Sequence, residues 1–265
     1  MKKKGWKYSA YRIVRLLAIS YTTLVLFACT MADRMIFMPP ELSYSLSDDG
    51  AVQFGENKEF AGFYFPPARA QVPTLLWAHG NAEDAGNTRF LAQLFHAEGF
   101  GVMIYDYPGY GLSEGQPNES GTYRSADAAF DFLVKEKGQS PKDIVLLGQS
   151  VGGGPSTYLA EKGDARGLIL VSPFKSAFRV VTKVKLLPWD RFDNWKRMKN
   201  VEIPLLVIHG DVDEVVPYSH GLALYERHQG KKTFLRLEGI GHNDLWGNAG
   251  DRVVAKIVKF VREVQ

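Results

Sequence analysis

Cysteine is almost absent from this chain: Cys29 is the single one in 265 residues, so no internal disulfide can form, and an oxidising compartment is permitted but not used. Acidic residues are missing from the first fifteen positions, which carry six positive charges: Lys2, Lys3, Lys4, Lys7, Arg12 and Arg15. Taking those six from the net charge of +3 leaves −3 for everything after Arg15. The pI near 8.8 therefore reports the N-terminus, and no basic stripe remains of the kind that would hold nucleic acid, which is excluded as a partner. Internal repeats and low-complexity tracts are also lacking. What is left, 45% hydrophobic and 23% charged, is the composition of an ordinary globular protein with length for one large domain.

The basic start is followed by an uncharged, mostly apolar run over residues 16–32, LLAISYTTLVLFACTMA. A charged region, an apolar region and a small residue before a cleavage point form the layout of an export signal. Cys29 lies in "LFAC", with Leu26 three residues before it and Ala28 directly before it, which resembles a bacterial lipobox and makes Cys29 the expected lipidation site. Left uncut, a run of this length is at the short limit for a membrane span. Either way, residues 1–32 are expected to tether the remainder to a membrane on its extracytoplasmic side, by the positive-inside rule.

Beyond residue 33 short apolar runs alternate with amphipathic segments. Strands are expected over residues 60–65, 74–78, 102–105, 144–147, 167–171, 205–208 and 233–237. Five of these, "TLLWA", "VMIY", "IVLL", "GLILV" and "LLVI", are apolar at consecutive positions, as strands covered on both faces are. Helices are expected over 86–98, 119–137, 151–162, 219–227 and 250–264. In the second of these Ala126, Ala129, Phe130 and Leu133 recur at helical spacing. The expected class is α/β: a mostly parallel sheet with helices on both faces and functional loops at the carboxyl ends of its strands. Residues 175–203 break the alternation with bulky residues such as Trp189, Phe192 and Trp195, and are expected to form a small lid or a surface segment packing its aromatics on the domain.

The stretch "LLGQSVGGGP" (146–155) places a serine among glycines between a buried strand and a helix. No lysine follows as a phosphate loop requires, and the glycines lack dinucleotide-fingerprint spacing. Gly148-Gln149-Ser150-Val151-Gly152 does fit G-x-S-x-G, in which a sharp strand-to-helix turn presents a nucleophilic serine. Such a hydroxyl needs a base, and the base needs a carboxylate. "HGDVDEVVP" offers Asp211, Asp213 and Glu214 after a later strand, of which Asp213 has the reach while Asp211 is placed to shape the turn. "GIGHNDLW" puts His242 in a loop after the last strand. The other histidines sit at strand ends (His79, His209) or on helices expected at the surface (His96, His220, His228). The oxyanion would be held by the backbone N–H of Val151 and by that of Asn81 in "HGNAED", after an earlier strand.

With "HGNAED" (79–84), "YDYPGYGLSEG" (105–115), "GQSVGGG" (148–154), "HGDVDEVVP" and "GHNDLW", residues 34–264 resemble the α/β-hydrolase family. Within it, "YDYPGYG", "DEVVPYSHGLALYE" and "GHND" are similar to the membrane-attached branch of protein depalmitoylases and their bacterial serine-aminopeptidase-like relatives. The resemblance implies the order Ser150, Asp213, His242 and selects Asp213 as the acid. It departs at the N-terminus, where depalmitoylases of this branch carry a cysteine cluster, and in the extra glycines at 152–154. The expectation is a serine hydrolase for ester or thioester bonds of a small-molecule or acylated substrate, with no metal or cofactor required. Two alternatives stand beside it. One is an aminopeptidase, for which Glu83, Asp84 and Glu114 would be candidates to bind the substrate amine. The other is a catalytically idle lipoprotein that serves as a binding or scaffold domain.

Overall fold

Consecutive apolar residues become the centre of the sheet because both of its faces are covered. The computed structural model describes residues 3–183 and 187–264, and the side chain of Cys29 lies outside what is described. The chain divides into two units, Met1–Phe37 and Met38–Gln265. The first contains helix α1 (Lys3–Ile36), in which Gly5–Ala28 is long and apolar enough to cross a membrane.

The second unit runs β1 (Ala51–Phe54), β2 (Phe60–Phe65), β3 (Thr74–Ala78), α2 (Ala85–Ala97), β4 (Gly101–Tyr105), α3 (Glu119–Asp131), β5 (Ile144–Gln149) and α4 (Gly153–Ala160). It continues through β6 (Gly167–Val171), α5 (Ala177–Thr182), α6 (Asn194–Met198), β7 (Leu205–Gly210), α7 (Ser219–Arg227), β8 (Lys232–Leu237), α8 (Leu245–Asn248) and α9 (Gly250–Glu263). The strands form one sheet in the order β1-β2-β4-β3-β5-β6-β7-β8. Pairing is antiparallel for β1 with β2 and β2 with β4, and parallel from β4 onward. Every residue of β3, β4, β6 and β7 is buried, as consecutive apolar runs require. Trp77 on β3 anchors one layer, with Phe95 of α2 and Trp246 of α8 at ring distances of 5.9 and 5.7 Å. Helix α9 joins the same core through Val253, Ile257 and Val261, a stripe of every fourth residue.

From β3 the chain crosses to β4 on one side, whereas from β5 it crosses to β6 on the other. Loops leaving β3 and β5 therefore diverge, and a crevice opens between their carboxyl ends. Strand β1 lacks an apolar run, since only Phe54 of its four residues is buried; its pairing with β2 is what makes it a strand.

Residues 175–203 hold α5 and α6, and residues 184–186 of the expected lid lie outside the described residues. Two of its bulky side chains, Phe192 and Trp195, pack against other parts of the domain. Phe192 is fully buried, packs edge-on against Tyr123 at 5.7 Å, and donates its N–H to Glu119 at 2.8 Å. Trp195 lies under the Arg227 guanidinium, 4.7 Å from ring centre. The two ends of the segment bond to each other, Ala177 N–H to the Arg191 carbonyl (2.8 Å) and Trp195 N–H to the Lys175 carbonyl (2.9 Å). His220 and His228, expected at the surface, are buried instead. His220 Nδ1 accepts the Lys175 N–H at 3.2 Å; burial, helped by the nearby Lys175 charge, lowers its pKa to about 4, so the ring is neutral and able to accept.

Phe192 also explains the third glycine of the 152–154 run. A methyl on Gly154 would fall on the Phe192 ring, whereas one on Gly153 would meet only ordinary contacts at 3.7 Å. Gly154→Ala is therefore expected to lower unfolding free energy by about 1–3 kcal/mol through overpacking. In the same urea titration Gly153→Ala should be neutral or stabilising by up to about 1 kcal/mol, because alanine is the better helix former.

Candidate active site

Ser150 directly follows β5 at φ +51°, a left-handed conformation that non-glycine residues adopt rarely and at a cost of about 1–3 kcal/mol. The turn closes because its neighbours have no side chains. A Cβ on Gly152 would strike the carbonyl oxygen of Ala78, and one on Gly148 the Gly152 carbonyl. The elbow thus lies directly against the end of β3, and the loop 79–84 that follows β3 runs alongside it.

Ser150 is half-buried, with its Oγ 3.1 Å from His242 Nε2. The opposite ring nitrogen, Nδ1, is 2.7 Å from Asp213 Oδ2. Asp213 is held in turn: its Oδ1 accepts the N–H groups of Val215 (3.0 Å) and Val216 (2.7 Å). His209, at the end of β7, points Nε2 at Asp213 Oδ2 (3.3 Å) and at the Val216 carbonyl (2.9 Å). Both are acceptors, so His209 carries its proton on Nε2. Burial alone would raise the Asp213 carboxyl, but hydrogen bonds from His209 and His242, the His242 charge and the Val216 N–H hold it far below the carboxylate range. An ionised Asp213 fixes the His242 proton on Nδ1 and leaves Nε2 to accept from the serine hydroxyl.

Asp211 is placed elsewhere. It accepts Arg236 Nη2 at 2.8 Å and the Gly239 N–H at 2.7 Å, and so shapes the loop that carries His242. Val151, directly after the serine, is buried at the head of the elbow. Asn81 lies across the crevice at the end of β3, and among the described residues its N–H donates to no protein group. Gln149 Oε1 accepts the Trp246 indole N–H at 2.8 Å, tying the elbow to the segment after His242.

Two of the three carboxylates weighed for an amine are committed to other partners. Asp84 caps α2, accepting the Asn87 N–H at 2.9 Å, and also accepts the Ser43 N–H at 2.9 Å. Glu83 Oε1 accepts the Gly80 N–H at 2.5 Å, and burial raises its pKa. Glu114 is exposed.

Sequence reasoning passed over a buried pair beneath the crevice. His79 Nε2 is 3.2 Å from Asp106 Oδ1 and its Nδ1 is 2.7 Å from the Gly80 carbonyl. Both partners accept, so both ring nitrogens carry protons. Burial opposes that charge, but Asp106 outweighs it and the His79 pKa is raised. Asp106 Oδ1 also takes the Ala85 N–H at 2.8 Å and its Oδ2 the Tyr44 hydroxyl. "YDYPGYG" signals this region, but nothing in the sequence pairs it with His79.

A doubly wound sheet with a G-x-S-x-G elbow between β5 and α4, and a histidine and a carboxylate on the loops after β8 and β7, defines the α/β-hydrolase class. The family model for serine aminopeptidases (S33) matches residues 69–191. The α/β-hydrolase domain-containing protein aho-3 of Caenorhabditis elegans is 35% identical over 247 residues, 83% of this chain and 74% of that protein. The α/β-hydrolase domain-containing protein 17C of Mus musculus is 42% identical over 175 residues, 65% of this chain and 55% of that protein. The chain thus spans about half the length of the mouse relative. Among solved structures, a monoacylglycerol lipase from Paleococcus ferrophilus superposes with a TM-score of 0.60 over 75% of this chain and 96% of that one, at 22% identity, a likeness of fold. The chain belongs to the α/β-hydrolase family.

The depressed Asp213 pKa sets a sign. The stability it contributes is fully present above the unfolded carboxylate value of about 3.9 and is lost as pH falls from there through the folded value. Asp213→Asn is expected to be less stable than the natural protein in urea at pH 5 to 7, with the gap narrowing only below about pH 4.

Proposed function

We propose that this chain is a membrane-tethered serine hydrolase of acyl ester or thioester bonds. The observation that carries the reading is the unbroken line Ser150 Oγ, His242, Asp213, at 3.1 and 2.7 Å, raised on a strained elbow. Ser150 Oγ attacks the substrate carbonyl carbon as its proton passes to His242 Nε2, and Asp213 stabilises the imidazolium without taking the proton. The tetrahedral oxyanion lies on the N–H groups of Val151 and Asn81. Collapse breaks the bond to the alcohol or thiol, which leaves with the proton from His242. Water, deprotonated by the same histidine, then releases the acid and restores Ser150.

Several features favour an acyl chain over a peptide amine. Val212 and Val215, on either side of Asp213, are exposed, and α1 keeps a span apolar enough to cross a membrane. An aminopeptidase, the reading that the matched family model's description favours, needs an ionised carboxylate for its substrate's ammonium. Asp84 is spent on capping α2 and Glu83 on the Gly80 N–H, which leaves exposed Glu114 as the carboxylate for that role. The tether is α1, retained or replaced by a lipid on Cys29, with the hydrolase unit on the extracytoplasmic side.

Hydrolysis of p-nitrophenyl esters from acetyl to palmitoyl should peak at medium or long chains, and Ser150→Ala should lower kcat by about 10⁴-fold or more. Turnover surviving in Ser150→Ala would overturn the mechanism. A folded natural protein that neither turns over esters nor labels with a fluorophosphonate would favour the scaffold alternative. Activity confined to aminoacyl amides would favour the peptidase. For the tether, Cys29→Ser is expected to abolish incorporation of radiolabelled palmitate; equal labelling in the variant would rule out lipidation at that position.

A further inference from the structure

The loop after β3 is tied down at nearly every residue. The Tyr107 hydroxyl donates to the His79 carbonyl at 2.6 Å, Glu83 takes the Gly80 N–H, and Asp106 takes the Ala85 N–H. Asp84 is gripped by both the N–H and the hydroxyl of Ser43. At Asn81 the side-chain Oδ1 accepts from the Tyr110 hydroxyl at 2.7 Å and from the Met38 N–H at 3.0 Å, and that N–H is shared with the Tyr110 hydroxyl oxygen, also at 3.0 Å. The three groups close a triangle, so each donor holds the other as well as the amide oxygen. Tyr110 reaches this point from the turn Pro108-Gly109-Tyr110-Gly111, whose glycines stand at φ 79° and 49°. Burial raises the Tyr110 pKa, so the phenol keeps the proton that it donates.

Among the described residues this knot leaves without a protein partner the Asn81 backbone N–H, the group on the loop that the proposed chemistry needs. A side chain pinned at Oδ1 from two directions fixes its own Cβ, and through it the peptide plane that carries the N–H. Oxyanion donors stabilise a transition state only when they are aimed beforehand, because reorienting them during reaction costs the energy they would supply. The second donor, Val151, needs no such device because the elbow itself orients it. The segment 38–44 therefore lies across the loop as a strap, bonded at Met38 to Asn81, at Ser43 to Asp84 and at Tyr44 to Asp106.

We propose that Tyr110 and the Met38 N–H are positioning groups for catalysis: by holding the Asn81 side-chain oxygen in one hydrogen-bonded triangle they aim its backbone N–H at the oxyanion formed when Ser150 attacks. The inference rests on the reading of Ser150 as nucleophile given above. It assigns a catalytic consequence to the strap, which a role in folding alone would not have.

The test uses the full chain with Tyr110→Phe, Met38→Pro and Ser150→Ala, and with Met38→Ala as the comparison that keeps the N–H. Steady-state kinetics on a p-nitrophenyl ester are measured beside the affinity for a trifluoromethyl ketone, which adds to a reactive serine and carries an oxyanion in the adduct. Tyr110→Phe should lower kcat by about 10- to 100-fold, somewhat less than loss of a whole oxyanion donor. Its KM should stay within about twofold and its ketone affinity should fall in proportion to kcat, since the defect lies in the transition state. Met38→Pro should show the same pattern and a larger loss than Met38→Ala. A Tyr110→Phe protein with lower melting temperature but natural kcat and ketone affinity would overturn the inference. Where that variant is recovered only unfolded, the Met38→Pro against Met38→Ala comparison decides, equal kcat in the two being the overturning result. Ser150→Ala separates the levels. If it retains turnover, the functional reading falls; if it is inactive while Tyr110→Phe matches the natural protein, only the positioning role falls.

Discussion

The close approach of the serine elbow to the end of β3 is the constraint on which the site depends. Gly152 stands where any side chain would meet the Ala78 carbonyl, so the two backbones are in contact and the loops after β3 and β5 are forced to face each other. The left-handed Ser150 backbone costs of order 1–3 kcal/mol, which the surrounding β5–α4 packing must offset. In return the hydroxyl projects above the sheet at the one point where loops from four strands converge. Asn81 follows β3, Ser150 follows β5, Asp213 follows β7 and His242 follows β8.

Electrostatics beneath the crevice divide into two systems that both use a histidine and an aspartate. Asp213 is held ionised by His209, His242 and two main-chain N–H groups, and it determines which nitrogen of His242 carries the proton. Asp106 is bonded instead to fully buried, doubly donating His79, to the Ala85 N–H and to Tyr44. Buried ion pairs repay their desolvation only when the remaining lone pairs are used, and here Asp106 has a donor on each oxygen. The first system is open to Ser150; the second holds the loop that faces it.

The insertion 175–203 shows how a segment without a strand of its own can be part of the scaffold. Its ends are joined by main-chain hydrogen bonds, its Asp190 takes the Ser176 hydroxyl and the Phe178 N–H, and Phe192 plugs the space left by Gly154. A departure from the usual elbow, the glycine run 152–154, is thereby connected to a segment about forty residues later. Gly152 admits the β3 carbonyl, Gly154 admits the aromatic ring, and Gly153 admits nothing that alanine would exclude.

Most of the sheet was legible in the sequence, because strands buried on both faces must be written as consecutive apolar residues and little else in a globular chain is. The serine, histidine and acidic positions were legible for a related reason: each lies in a short loop at a strand end whose glycines and order restrict what the loop can do. The N-terminal helix announced itself by length and apolarity alone. Strand β1 did not, since its identity comes from its partner β2 and not from its own four residues. Nor could the sequence show that His220 and His228 are buried, that His209 leans on Asp213, or that Met38, Tyr110 and Asn81 meet. Those contacts join residues between 4 and 72 positions apart through single hydrogen bonds, and an isolated hydrogen bond leaves no periodicity or composition in the chain. Local pattern determined the elements and the loops that carry Ser150, Asp213 and His242, and only tertiary packing decided which polar atoms would hold those side chains in place.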